Sequence, residues 1–253
     1  MYKELGAADH LRMLALEESE LPDVVLLLGI FDVHRGAERF AAYLEGAQFS
    51  RSETSASGLP YHIGTHAGTR VAISGCFGGP MAALFAHTWC GAGVKTVIQL
   101  GWYGALQPGT NLGDVVVPRH AERQDGVSDW YLAKGILADA TPELAAAIVR
   151  RLGERGISTS EQAIYSTPAL LAESREVIAD WSRHGWHGVD METAATFAVA
   201  KSLGARRAAA LLRIDDLISE EHSIAEGLVG DHRTFMRGRE RDVMHAVIEA
   251  AAL

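Results

Sequence analysis

Residues 188–216 (GVDMETAATFAVAKSLGARRAAALLRIDD) read as a packed helix followed within a few residues by a buried strand, with acids at both ends. Met191, Ala194, Ala195, Ala198 and Val199 recur at helical spacing among strong helix formers, and Gly204 supplies a stop. Residues 208–214 form an apolar run of strand length that closes on Asp215 and Asp216. Ligands of open α/β sheets sit beyond the carboxyl ends of the strands, so a helix opening on Asp190 and Glu192 and a strand closing on acids can face one crevice. The same acids also suit the positive end of a helix dipole.

The rest of the chain alternates in the same way. Residues 22–29 (PDVVLLLG) predict a buried strand ending in a glycine turn, after which a loop brings Asp32, His34 and Arg35 to the strand end. A helix over 36–45 is followed by a Ser/Thr-rich loop to Gly58, and a hairpin over 61–74 turns at Ala67 and Gly68. The glycine-rich turn GCFGGP at 75–80 precedes a helix over 81–90. A strand over 95–101 follows, with Trp102, Tyr103 and Gly104 as its exit loop, and then a strand over 114–118. After a surface loop carrying Arg123, Asp125 and Trp130, helices are predicted over 142–153, 168–184 and 231–252, with a strand near 157–165. Such alternation predicts an α/β fold: a single domain spanning 1–253, with a mixed, mainly parallel sheet and helices on both faces.

Composition narrows the partner. A formal net charge of -9 argues against nucleic acid, whose binding needs a basic surface, and leaves a small metabolite. The acidic, amphipathic start has no basic n-region, and no apolar run approaches the roughly 18 residues of a membrane span, so a cytoplasmic protein without a membrane partner is expected. Cys76 and Cys90 are expected reduced and buried. Eleven histidines do not make a metal site: His62 and His66 straddle Gly64 in strand-like sequence, and His184 and His187 flank a helix-end glycine. No G-x-S-x-G elbow, P-loop or G-x-G-x-x-G turn occurs, and no cofactor is expected.

What remains is acids and aromatics at strand ends: Asp32, Glu192, Asp215 and Asp216, with Tyr165, Trp102 and Tyr103. Carboxylates for sugar hydroxyls, an acid to protonate a leaving group and an aromatic against a base suit N-glycosidic cleavage through an oxocarbenium-like transition state.

These segments resemble the nucleoside phosphorylase family, which includes purine nucleoside phosphorylase, uridine phosphorylase and the methylthioadenosine/adenosylhomocysteine nucleosidases. The resemblance runs through GCFGGP at 75–80, GWYGALQPGTNLGDVVVP at 101–118, DGVS at 125–128 and residues 188–216. It implies that Met191 and Glu192 lie under the ribose and that Tyr165 lies against the base. His10 would reach the ribose site of a neighbouring subunit, making the protein a homo-oligomer. Asp216 would protonate purine N7, where uridine phosphorylases have an arginine, which favours a purine or purine-like base.

The departures from the family concern phosphate. Gly29 is kept, but Arg35 only approximates the first arginine, Gln99 replaces the second, and Trp102 stands in place of a Ser or Thr. The arginine contributed across the subunit contact falls nearest Ser57, with Arg51 close by. Losing two charged hydrogen bonds at about 1.5 to 3 kcal/mol each would weaken phosphate binding by about two to four orders of magnitude. Hydrolysis, with Asp32 or His34 activating water, is therefore set ahead of phosphorolysis through a site rebuilt from Arg35, Arg51 and Arg123. A non-catalytic nucleoside-binding protein is the third reading.

Overall fold

The computed structural model describes residues 2–50, 59–219 and 230–253. Among these, in chain order, lie α1 (Ala7–Leu14), β1 (Val24–Gly29), α2 (Val33–Ala41), β2 (Glu45–Ser50), β3 (Tyr61–His66), β4 (Thr69–Cys76), α3 (Gly79–Ala92) and β5 (Thr96–Ala105). They are followed by β6 (Val115–Val116), β7 (His120–Arg123), β8 (Ala138–Asp139), α4 (Pro142–Glu154), β9 (Thr159–Ser160) and β10 (Ile164–Ser166). The chain continues with α5 (Arg175–Arg183), β11 (Gly188–Asp190), α6 (Thr193–Ser202), β12 (Arg206–Asp216) and α7 (Gly230–Ala251).

One mixed sheet joins all the strands. β1 lies parallel between β4 and β5, and Val24 through Leu28 are fully buried, as expected of a parallel strand covered on both faces. Alternation along β1 sends Val24, Leu26 and Leu28 into a core shared with α2, α4 and α7. Val25 and Leu27 enter a second core with α1 and α3, and α6 contributes to both. The single α/β domain with helices on both sides is as the sequence predicts.

β5 divides the sheet. Over its first eight residues it pairs in parallel with β12, and at its end, where Val189 opposes Gly104, it also pairs antiparallel with β11. The segment expected as an exit loop, Trp102 to Gly104, is thus strand, held by β12 along its length and by β11 as well at Gly104. Gly188 permits the close approach of β11, since a β-carbon there would stand 2.3 Å from the Tyr103 ring.

Other differences have local causes. The hairpin turn is as predicted, with positive φ at both Ala67 (49°) and Gly68 (82°). The helix expected over 168–184 begins only at Arg175, because Ser174 caps it by accepting from the Val177 amide at 3.3 Å. A short 3₁₀ turn, Leu170–Ala172, fills the gap. The helix expected to run to residue 45 stops at Ala41, and residues 45–50 form an edge strand; the rest of that predicted loop, 51–58, lies outside the described residues. Cys76 and Cys90 are free and buried. Among the described residues no helix is long and apolar enough to cross a membrane.

Candidate active site

The junction of β11 and α6 is built on two buried acids. Asp190 is 6% exposed and accepts from Ser166 Oγ (2.6 Å), the Thr193 amide (2.9 Å) and Thr193 Oγ1 (2.5 Å). Burial raises its pKa against the pull of these donors. With its acceptor sites so occupied, Asp190 anchors the first turn of α6. Glu192, at the N-cap position, accepts from the Gly78 amide at 2.6 Å. Burial and then the Asp190 charge push Glu192 up to about 8.

Glu192 borders a cavity of about 430 Å³ at the carboxyl ends of β1, β5 and β12. Its walls are Gly29, Ile30 and Phe31 after β1, Phe77 before α3, and Trp102, Tyr103 and Gly104 on β5. Leu170, Glu173, Met191, Ile214, Asp215 and Leu217 complete it, with Val189 and Asp190 at the β11 end. Phe31 and Phe77 contact each other, ring centroids 5.0 Å apart. The volume suits a small metabolite. Among the described residues four carboxyl groups line it, and no Lys, Arg or His does.

A bulge in β12 decides which acid of the pair enters. Arg213 opposes Tyr103 and Asp215 opposes Gly104, leaving Ile214 unmatched, so the side-chain alternation changes phase. Ile214 and Asp215 both line the cavity, whereas Asp216 does not. Asp216 instead pairs with the buried Arg213 at 3.0 Å and accepts from the amides of Ile218 (3.1 Å) and Ser219 (3.0 Å). Burial acts to raise Asp216, but these hydrogen bonds outweigh it and hold the carboxyl below its ordinary value. Of the two aspartates it is Asp215, and not the expected Asp216, that lies on the cavity wall in this structure. Asp215, 6% exposed, is raised to about 6 by burial, with Arg213 opposing.

The phosphorylase superfamily model matches residues 25–251. The chain belongs to this superfamily. A DeoD-type purine nucleoside phosphorylase of Roseobacter denitrificans is 28% identical over 92% of this chain and 95% of its own length. A guanosine phosphorylase of Halorubrum lacusprofundi is 32% identical over 65% of this chain and 69% of its own. The crystal structure of a uridine phosphorylase from Vibrio fischeri superposes with a TM-score of 0.80 at 21% identity, covering 95% of this chain and 96% of the other, which establishes the same fold.

The superfamily's motifs locate the site better than they locate its individual side chains. Of the expected residues, Gly29, Trp102, Met191 and Glu192 meet on the cavity wall. Tyr165 does not: its ring stacks on Trp181 with centroids 4.4 Å apart, and Leu170 lines the cavity from this segment. Asp32 caps α2 by accepting from the Arg35 amide at 3.2 Å and is exposed, as is Arg35. His34 faces a separate pocket with Glu38 and His62. Neither Asp32 nor His34 is placed to activate water in the main cavity, because α2 begins at Val33 and turns them outward.

Two further expected residues are buried. His10 is 3% exposed in the single chain and packs on α3, where a β-carbon at Gly91 would lie 2.5 Å from its ring. Gln99 lies fully buried beneath Gly29, accepting from Thr196 Oγ1 (2.7 Å) and donating to the Leu100 carbonyl (3.1 Å). It supports the wall rather than facing the cavity. Arg123 is consumed by Ser128, Asp129 and three loop carbonyls. Arg51 and Ser57 lie outside the described residues. Glu173 escaped the sequence reading altogether, because its segment reads as continuous helix.

Proposed function

We propose that the protein cleaves the N-glycosidic bond of a nucleoside with a purine or purine-like base, using water as the nucleophile. The observation that carries the choice of water is the charge of the cavity, on whose walls the described residues place four carboxyl groups and no basic side chain. A phosphate dianion there would meet repulsion where a phosphorylase needs cations. Trp102 occupies wall that a small hydroxyl residue would leave open, and Arg35 is exposed on α2.

In this reading Asp215, held partly protonated near neutral pH by burial, gives its proton to the base as the C1′–N bond breaks and the electron pair passes to the base. Glu192 holds the sugar hydroxyls. Its buried carboxylate, once ionised, is a stronger base than an exposed one and takes the proton of the water that bonds to C1′. The products are free base and free sugar. With bond breaking ahead of attack, little activation of the water is required. The protein acts without a cofactor and as a homo-oligomer, the latter resting on the family resemblance.

Incubating the protein with adenosine and inosine, with and without phosphate, tests this. Ribose released at a rate indifferent to phosphate is expected. Strict phosphate dependence with ribose 1-phosphate as product overturns it and returns the chain to phosphorolysis, the reading favoured by the names of its relatives. Saturable binding with no base release in single turnover would make it a nucleoside-binding protein.

A further inference from the structure

The cavity contains a second acid beside Asp215 that the proposed cleavage does not use. Glu173 follows the 3₁₀ turn Leu170–Ala172 and lines the same cavity. Its Oε1 is buried and makes no hydrogen bond among the described residues. Asp215 is 6% exposed and lines the same cavity, with the Arg213 charge beside it. A buried carboxyl oxygen without a partner on the wall of a ligand-sized cavity is costly unless a ligand completes it.

We infer that Glu173 and Asp215 act as a pair that shares one proton and reads the edge of the base, selecting a 6-aminopurine over a 6-oxopurine. The inference rests on the proposed nucleoside reading for the presence of a base in this cavity. A pair holding one proton presents one O–H donor and one carboxylate acceptor. A 6-aminopurine offers the complementary neighbours, N7 as acceptor and the N6 amino group as donor, whereas a 6-oxopurine offers two acceptors, N7 and O6. In the free site the proton rests mainly on Glu173, the more strongly raised of the two. When a base binds, the proton passes to Asp215, which donates to N7 while the Glu173 carboxylate accepts from the amino group. A 6-oxopurine in the same pose leaves O6 against a carboxylate, an unpaired and repulsive contact of the kind on which polar selectivity rests.

The electrostatics agree with sharing. Burial and then the Asp215 charge raise Glu173 to about 7, and burial raises Asp215 to about 6. Among the described residues the other charged or titratable groups facing the pair are Arg213 on β12, already engaged by Asp216, and Asp190, Glu192 and Tyr103 on the cavity wall. Of these only Arg213 favours ionisation, so loss of both protons near neutral pH is opposed.

Calorimetric titration of wild type and Glu173→Gln with free adenine and free hypoxanthine at pH 7 tests the pair without requiring turnover. Adenine is expected to bind wild type at least tenfold more tightly than hypoxanthine, and E173Q, whose amide donates as well as accepts, is expected to shrink that ratio to threefold or less. Thermal melting confirms that the variant is folded, and Glu173→Asp should restore part of the preference. Tighter binding of hypoxanthine by wild type, an unchanged ratio in E173Q, or no binding of either base overturns the inference. If the ratio behaves as expected while no nucleoside is cleaved, the cleavage reading fails and the pair stands; if nucleosides are cleaved with the wrong base preference, the pair alone fails.

Discussion

Gly29 and Glu192 approach so closely that a β-carbon on Gly29 would stand 2.6 Å from Glu192 Oε2 and 3.0 Å from Gln99 Nε2. The end of β1 is therefore fitted to the buried carboxylate rather than merely near it. Gly29→Ala is expected to displace Glu192 and lower kcat/KM by about 10- to 100-fold, since small misplacements of positioning groups have effects of that size. The accompanying overpacking should cost about 1 to 3 kcal/mol, visible in denaturant melts. Wild-type kinetics in G29A would show that Glu192 does not hold the sugar.

The two acids at the end of β12 should separate cleanly. Asp215→Asn is expected to lower kcat by about 10² to 10⁴, the range for loss of a general acid. Asp216→Asn should leave kcat within a few fold but destabilise the fold by up to about 3 kcal/mol, because Arg213 is left buried without its charged partner. Steady-state rates together with melting curves on both variants measure this. A severe kinetic defect in D216N with normal D215N would reverse the assignment.

Stability should fall as pH rises across the cavity acids. Glu173, Asp215 and Glu192 have folded-state values raised to about 7, 6 and 8, so between the ordinary carboxyl range and these values the folded state binds more protons than the unfolded chain. Unfolding free energy then decreases with rising pH through that window, from about pH 4.5 to 8. Melts across this range should show the decline, and E173Q should flatten it between about pH 5 and 7, gaining ~1 kcal/mol at pH 8 after allowing for solvent screening at this partly exposed group. An E173Q profile parallel to wild type would mean that Glu173 titrates normally.

Thr196 is the donor that satisfies buried Gln99. Thr196→Val keeps the shape but leaves Gln99 Oε1 unpaired, which should cost about 1 to 3 kcal/mol. Because Gln99 lies under Gly29, a modest rise in KM is also expected, measured beside the melting temperature. A neutral effect on both would show that Gln99 finds another donor.

The fold was legible where local signals and tertiary packing agreed. The unbroken apolar run of β1, the 67–68 turn and Gly204, which follows α6 at φ 72°, all sit where their residue types demand. The site was legible as a place, since glycines and acids at strand ends converge there. Its side chains were less so. Simple alternation put Asp215 away from Asp216's face, but the bulge at Ile214 exchanges their roles, and no residue type announces it. Likewise Ser174 splits a helical-looking segment and turns Leu170 and Glu173 into the cavity, while Tyr165 is drawn off by Trp181. These outcomes depend on pairing and stacking between distant segments, which spacing along one chain does not encode.

Among the five tryptophans of this chain, Trp102 is the one on the cavity wall. Its placement gives the protein a built-in optical reporter. A purine entering beside the indole would change its emission, so occupancy is readable by stopped-flow fluorescence in the unlabelled protein, and Trp102→Phe supplies the blank against which the remaining indoles are subtracted.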